Sequence, residues 1–147
     1  MDMFSGLNIS SSGLTAQRFR MDTASANIAN ADTTRERRVN GEWVPYTRKV
    51  VHLGTIGPSF DATLREALGS AAGGVKVTDV TEDPAPFRMK YDPSDPDANA
   101  DGYVRLPNVD PLKEMVDLMN ANRSYEANVT VMNANKNMLS RALDIGR

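Results

Sequence analysis

Apolar residues recur on two different periods along this chain, and the change of period divides it into three parts. From residue 4 to about 34 the period is helical. Leu7, Leu14, Met21 and Ile28 stand seven apart, with Ala24 and Ala31 three residues after Met21 and Ile28. That is the a/d spacing of a helix that packs on another helix. Ser10, Ser11, Ser12 and Gly13 all lower helix propensity. They predict a start near Ser12, with Ser12 as cap and the preceding segment ordered only on contact. From 35 to about 107 the runs are short and β-like, carrying Trp43, Val44, Tyr46, Val50, Val51, Val75, Val77, Val80, Phe87, Met89, Tyr91 and Val104. Prolines and glycines punctuate them. A small β-rich insert with long loops is expected there, with residues 60–70 a short helix or a mobile loop. From 111 to 145 a single helix is predicted. Asp110 can cap it, Pro111 suits its first position, and no Gly or Pro follows until Gly146. The expected organisation is an N-terminal helix (1–34), a β-rich middle (35–107) and a long C-terminal helix (108–147), an α+β chain that is mainly α.

The C-terminal helix carries two apolar stripes. Met115, Leu118, Tyr125, Val129, Met132, Leu139 and Leu143 step by three and four, interrupted only by Asn122 and Lys136. One residue further round run Leu112, Val116, Met119, Val131 and Met138, with Ala127, Ala134, Ala142 and Ile145, broken by Arg123. A surface helix needs one such stripe. The N-terminal helix can cover one as an antiparallel coiled-coil pair, Leu14, Met21 and Ile28 meeting Tyr125, Val129, Met132, Leu139 and Leu143. The second is left for the β insert to fold over or for another molecule to cover. The pattern favours another molecule, which makes Leu112, Val116, Met119, Val131 and Met138 candidate subunit-interface residues. Thirty-odd helical residues also make a rod of roughly 50 Å. A globule of this size is about 40 Å across, so an elongated subunit is expected. Six asparagines (120, 122, 128, 133, 135, 137) lie in this helix. Asn is a poor helix former, and a polar residue in a helical interface fixes register at a cost in stability.

Composition narrows the chemistry. The 147 residues are 24% charged and 40% apolar with net charge −2, which gives no basic field for nucleic acid or anionic lipid. No apolar run of membrane-spanning length exists, so no direct membrane insertion is expected. The N-terminus lacks the basic and apolar regions of a secretory signal. There is no cysteine and one histidine, His52. His52 sits in a predicted strand, where a lone His is more often packed or solvated than catalytic. No serine lies in a nucleophile-elbow motif. Glu36, Glu42 and Glu66 show no glycosidase-type pairing. Asp95-x-Asp97-x-Asn99 matches half of a calcium loop, but the sixth position is Ala100 and the twelfth is Leu106. A solvated, turn-rich loop is the expectation. The sequence therefore predicts no catalytic residues, no cofactor and no metal.

Asn27-Ile28-Ala29-Asn30-Ala31-Asp32-Thr33-Thr34, preceded by Ser12-Gly13-Leu14-Thr15-Ala16-Gln17-Arg18, resembles the N-terminal signature of the bacterial flagellar rod and hook family. Glu114-Met115-Val116-Asp117-Leu118-Met119 with Arg123-Ser124-Tyr125-Glu126-Ala127-Asn128 resembles its C-terminal signature. Asp83-Pro84, Pro86-Phe87, Tyr91-Asp92-Pro93 and Gly102 to Val109 resemble the middle of the short, proximal-rod members. Ala26 stands where the family usually has Asn, and Ser94 stands in the 92–97 region, which often includes a His. The resemblance singles out Asn27, Asn30, Thr33, Glu114, Arg123, Tyr125, Glu126 and Asn128. Asn27, Asn30 and Thr33 are expected to satisfy backbone groups at the end of the first helix. It implies a structural subunit of the proximal rod of the basal body, polymerising head-to-tail into a tube in the cell envelope. The implied partners are copies of itself, other proximal and distal rod proteins, the rod-base adaptor and the flagellar type III export apparatus. It also implies torque transmission and a channel wall built by the paired helices. The alternative function is a small helical adaptor that binds one partner without polymerising.

Overall fold

The computed structural model describes residues 5–56 and 73–145. The expectation for residues 60–70, and Glu66, fall outside them. Among the described residues the chain order is two helices and six strands: α1 (Ser5–Ala29), β1 (Arg37–Val39), β2 (Glu42–Val44), β3 (Lys49–Thr55), β4 (Val75–Glu82), β5 (Arg88–Tyr91), β6 (Tyr103–Leu106) and α2 (Pro111–Ile145). The strands form three separate two-stranded sheets, β1–β2, β3–β4 and β5–β6. The chain is α+β, two helices with small antiparallel sheets between them. The described residues divide into two compact units, one within 5–21, 51–56, 73–79 and 119–145, the other of residues 22–50 and 80–118.

In the first unit, helix propensity is overridden by packing. α1 starts at Ser5, not near Ser12, and runs through Ser10, Ser11, Ser12 and Gly13. Ser12 caps nothing. Its Oγ donates to the Ile9 carbonyl (2.7 Å) and accepts from the Val75 amide (3.1 Å). Ser10 is buried. A Cβ on Gly13 would lie 3.2 Å from Asn128 Oδ1, and one on Gly6 would lie 3.0 Å from Asn135 Nδ2. These small residues are where α2 comes close. A step of seven along α1 is answered by a step of seven back along α2, so the two helices run antiparallel here. Ala121, seven before Asn128, is 1% exposed. Leu143, expected in the pairing face, is 67% exposed. The β3–β4 hairpin adds the Ile56 amide to the Gly74 carbonyl (2.9 Å) and Thr78 Oγ1 to the His52 carbonyl (3.0 Å).

In the second unit, α1 ends at Ala29, short of the expected residue 34. A tight turn follows, with the Ala31 amide on the Ile28 carbonyl and the Thr33 amide on the Asn30 carbonyl. The β1–β2 register is Arg37 with Val44, Arg38 with Trp43 and Val39 with Glu42. Asn40 and Gly41 make its turn, both at positive φ (52° and 93°), as a primed two-residue hairpin turn requires. β5–β6 pairs Arg88 with Leu106 through to Tyr91 with Tyr103. The apolar core is small: Ala31, Tyr46 and Val109 form its cluster. α2 begins as its capping residues predict, with Asp110 Oδ1 accepting from the Leu112 amide (3.0 Å) and the Asp110 carbonyl from the Glu114 amide.

Candidate functional site

Beside that small core lies a buried polar junction. Asn27, on the last full turn of α1, is 1% exposed, and Glu114, on the first turn of α2, is 2% exposed. Asn27 Nδ2 donates to Glu114 Oε2 and to the Lys49 carbonyl, both at 2.9 Å. Its Oδ1 accepts from Tyr46 Oη (2.9 Å) and from the Lys49 amide (3.0 Å). One side chain thus ties α1 to α2 and to the segment that enters β3. Tyr46 is placed by its own amide, which donates to the Thr33 carbonyl (3.0 Å).

Arg48 completes the junction. Its Nε donates to Glu114 Oε1 (2.6 Å) and Nη1 to Asp83 Oδ2 (3.2 Å), while Nη2 stands 3.6 Å from Asp117 Oδ2. Asn108 holds the backbone around it. Its Oδ1 accepts from the Arg48 amide (2.8 Å) and its Nδ2 donates to the Asp83 and Ala85 carbonyls (3.0 Å each). Burial works against the Arg48 charge, but the hydrogen bond and field of Glu114, then Asp83, outweigh it and raise its pKa above the ordinary value. The Ala85 amide, and then Arg48, hold the Asp83 carboxyl below the usual carboxylate range. Burial, then the fields of Glu36 and Glu114, push the Tyr46 hydroxyl up. A buried carboxylate is costly unless paired and hydrogen-bonded, and Glu114 has both. What this arrangement can do chemically is clamp two helix ends and the base of β3–β4 to one another.

Of the residues at the helix end, Asn30 bonds a backbone group: its Nδ2 donates to the Ala26 carbonyl (2.9 Å). Thr33 Oγ1 donates to Asn30 Oδ1 (3.2 Å) and so steadies Asn30. The resemblance implies that Asn27 satisfies the end of its own helix. Asn27 instead bonds the chain entering β3, because Lys49 lies alongside and presents both backbone groups. In the acidic loop, Asp97 takes Arg35 at two nitrogens (Nε at 2.8 Å) and Thr34 Oγ1 (3.0 Å). Arg35 holds the Asp97 carboxyl below its ordinary range. Among the described residues no group of three or more His, Cys, Asp or Glu could hold a metal ion.

The other sequence-predicted residues are spread along the helices. Leu14, Met21, Ile28, Tyr125, Val129, Met132 and Leu139 are half-buried. Leu112, Val116, Met119, Val131 and Met138 are 45 to 72% exposed. Arg123 is exposed, and Glu126 accepts from Asn122 (3.2 Å). Asn128 donates to the Ser124 carbonyl (2.9 Å) and faces Gly13. The sequence does not by itself bring Tyr46, Arg48, Asp83 and Asn108 into the junction, nor Gly6, Gly13 and Asn135 between the helices. The last three carry a signal, small and polar residues recurring by sevens, which the stripes of large apolar residues do not include.

The comparisons with known proteins point the same way along the whole chain. The family described as "Flagella basal body rod protein" matches residues 7–35. "Flagellar basal body rod FlgEFG protein C-terminal" matches residues 100–145. The junction draws Asn27 from the first of these segments and Asn108, Glu114 and Asp117 from the second. The flagellar basal-body rod protein FlgC of Bacillus subtilis is 60% identical over 100% of both chains. The FlgC proteins of Escherichia coli O6:H1 (41%, 100% of both chains) and Borreliella burgdorferi (40%, 99% of this chain and 98% of the relative) are also similar. With matches of this identity and coverage, the chain belongs to the FlgC family of flagellar basal-body rod proteins, structural parts of the bacterial flagellum.

Proposed function

We propose that this rod subunit polymerises in the proximal rod and works mechanically, passing torque from the rotor toward the distal rod and hook. α1 and α2 pair as an antiparallel coiled coil that forms the inner wall of a helical tube and lines the path of exported subunits. The small sheets lie outside it. Its partners are copies of itself, neighbouring rod proteins and the rod-base adaptor. It reaches the periplasmic space unfolded through the flagellar type III apparatus.

The observation that carries this reading is the second stripe of α2. Leu112, Val116, Met119, Val131 and Met138 all stand exposed in the single chain. A row of large apolar side chains along one helix face is an interaction surface. A contact made by that face with a different face of the next copy does not close, and so builds a filament.

The test is Val116→Asp with Met119→Asp. Both positions are exposed, so the purified chain should keep its stability within about 0.5 kcal/mol. Rod assembly, seen in isolated basal bodies, and swimming should be lost while the chain is still exported. Normal rods built from the double variant would overturn the proposal.

A further inference from the structure

The β1–β2 hairpin takes no part in the polar junction, yet its turn combines three properties that point to a chemical modification. Its central residues are Asn40 and Gly41, both exposed. Of the twelve asparagines, only Asn40 precedes a glycine. Glycine offers no Cβ to hinder attack by its own backbone nitrogen on the preceding side chain, and nothing lies within 4 Å of where a Gly41 Cβ would be. The ladder pairs Val39 with Glu42 and leaves the two turn residues outside it. The six asparagines of α2 differ: each is followed by a residue whose amide lies inside the helix.

The hairpin is also easily opened. β1 and β2 are three residues each and form a sheet of their own. A lone two-stranded hairpin is marginal in water. Local opening of such an element costs little, and it releases the turn to reach the bent geometry that attack requires.

We propose that Asn40–Gly41 is a site of spontaneous succinimide formation, at which this subunit is modified as it ages. The Gly41 nitrogen attacks Asn40 Cγ. The new C–N bond forms, the Gly41 amide proton passes to solvent base, and the side-chain amide leaves as ammonia. Water then opens the ring at either carbonyl, giving aspartate or an isoaspartyl linkage at position 40. One water is consumed and one ammonia released, with no redox step and no enzyme.

Both products alter the same surface. A carboxylate appears next to Arg38, whose Nε donates to the Gly41 carbonyl (2.9 Å) and whose guanidinium lies 5.7 Å from the Trp43 ring. The isoaspartyl product also inserts a methylene into the main chain of a two-residue turn, so Val39 and Glu42 can no longer pair as they do.

The full chain, kept folded at mildly alkaline pH, is sampled over time by tryptic mass spectrometry. Residues 39–48 form one tryptic peptide with Asn40 as its sole asparagine. It should gain one mass unit, split into two products on chromatography, and do so in proportion to hydroxide. Its rate should fall within about tenfold of the free synthetic peptide, as expected for a locally opening element. Asn40→Gly keeps a residue suited to positive φ, and that chain should show no gain and a constant Trp43 emission. Two results would overturn the proposal: an unchanged 39–48 peptide while the free peptide converts, or the same mass gain in the Asn40→Gly chain.

Discussion

Asn27→Ala is the sharpest perturbation of the junction. The substitution deletes a side chain that makes four hydrogen bonds, to Glu114 Oε2, Tyr46 Oη and both backbone groups of Lys49. A net contribution of about 0.5–1.5 kcal/mol per bond gives roughly 2–6 kcal/mol. Glu114 Oε1 keeps Arg48, and Lys49 is near the surface where water can replace a partner, so the expected loss is about 3–4 kcal/mol. Tyr46→Phe removes one of the four bonds and should cost about 1 kcal/mol. Urea unfolding followed by the emission of Trp43, which lies in the same unit, measures both. The two losses should not add. Tyr46 and Asn27 share one bond, so a double-mutant cycle should return a coupling of about 0.5–3 kcal/mol. An Asn27→Ala chain within about 1 kcal/mol of the parent would refute the reasoning, since it would mean that water already satisfies these groups.

Arg48→Met leaves Glu114 buried beside Asn27 alone and should destabilise the chain by about 3–5 kcal/mol in the same urea assay. Adding Glu114→Gln should recover part of that loss. Gly13→Leu forces side-chain atoms against Asn128 and costs about 1–3 kcal/mol by overpacking, against about 1 kcal/mol gained by removing a helical glycine. Its melting temperature by circular dichroism should therefore fall, whereas Gly13→Ala should stay close to the parent. The carboxyls of Asp83, Asp97 and Glu82 are held low, by the Ala85 amide with Arg48, by Arg35 and by Arg37 respectively. The unfolded chain takes up their protons first. Stability should therefore hold above the ordinary carboxylate range and drain as pH falls below about 4. Tyr46 titrates the other way. Its raised pKa means that the unfolded chain ionises first above about pH 10, so stability falls with rising pH, and Tyr46→Phe should flatten that limb.

The helices and the β-rich insert were legible because period alone distinguishes them. Asp110 and Pro111 marked the start of α2 because a cap acts through its own backbone and its own side chain. The start of α1 was not legible by the same logic. Ser10, Ser11, Ser12 and Gly13 weaken an isolated helix, yet Ser10 is buried and Gly13 lies against Asn128. Their smallness is what lets α2 approach, and that benefit exists only after the chain has folded. The junction was half legible. Asn27 and Glu114 stand in the family's two signatures, and Asp83 and Asn108 in the stretches that resemble its short members, but they sit with Arg48 in loops and at strand ends, where no periodicity shows that they meet. The partners that join them across the junction are 23 to 69 residues away along the chain.

The division of α2 into faces also changes. Two apolar stripes suggested that one pairs with α1 and the other with a neighbour. The closest approach to Gly13 and Gly6 is made by Asn128 and Asn135, between the stripes of large residues and seven apart, and Ala121, seven before Asn128, is buried. Glu114 falls on the same count, against Asn27. Polar residues at such positions lower the stability of a helix pair but make slipped registers worse still, because a shift would bury an amide or a carboxylate without its partner. For a single chain that trade is poor. For a part repeated through a polymer it is favourable. A slip of one turn would displace the apolar stripe by about 5.4 Å at every copy, and contacts between copies stabilise only the register that aligns them. The small-and-polar line therefore sets where the large apolar residues stand, and Met119, Val131 and Met138 are exposed outside it.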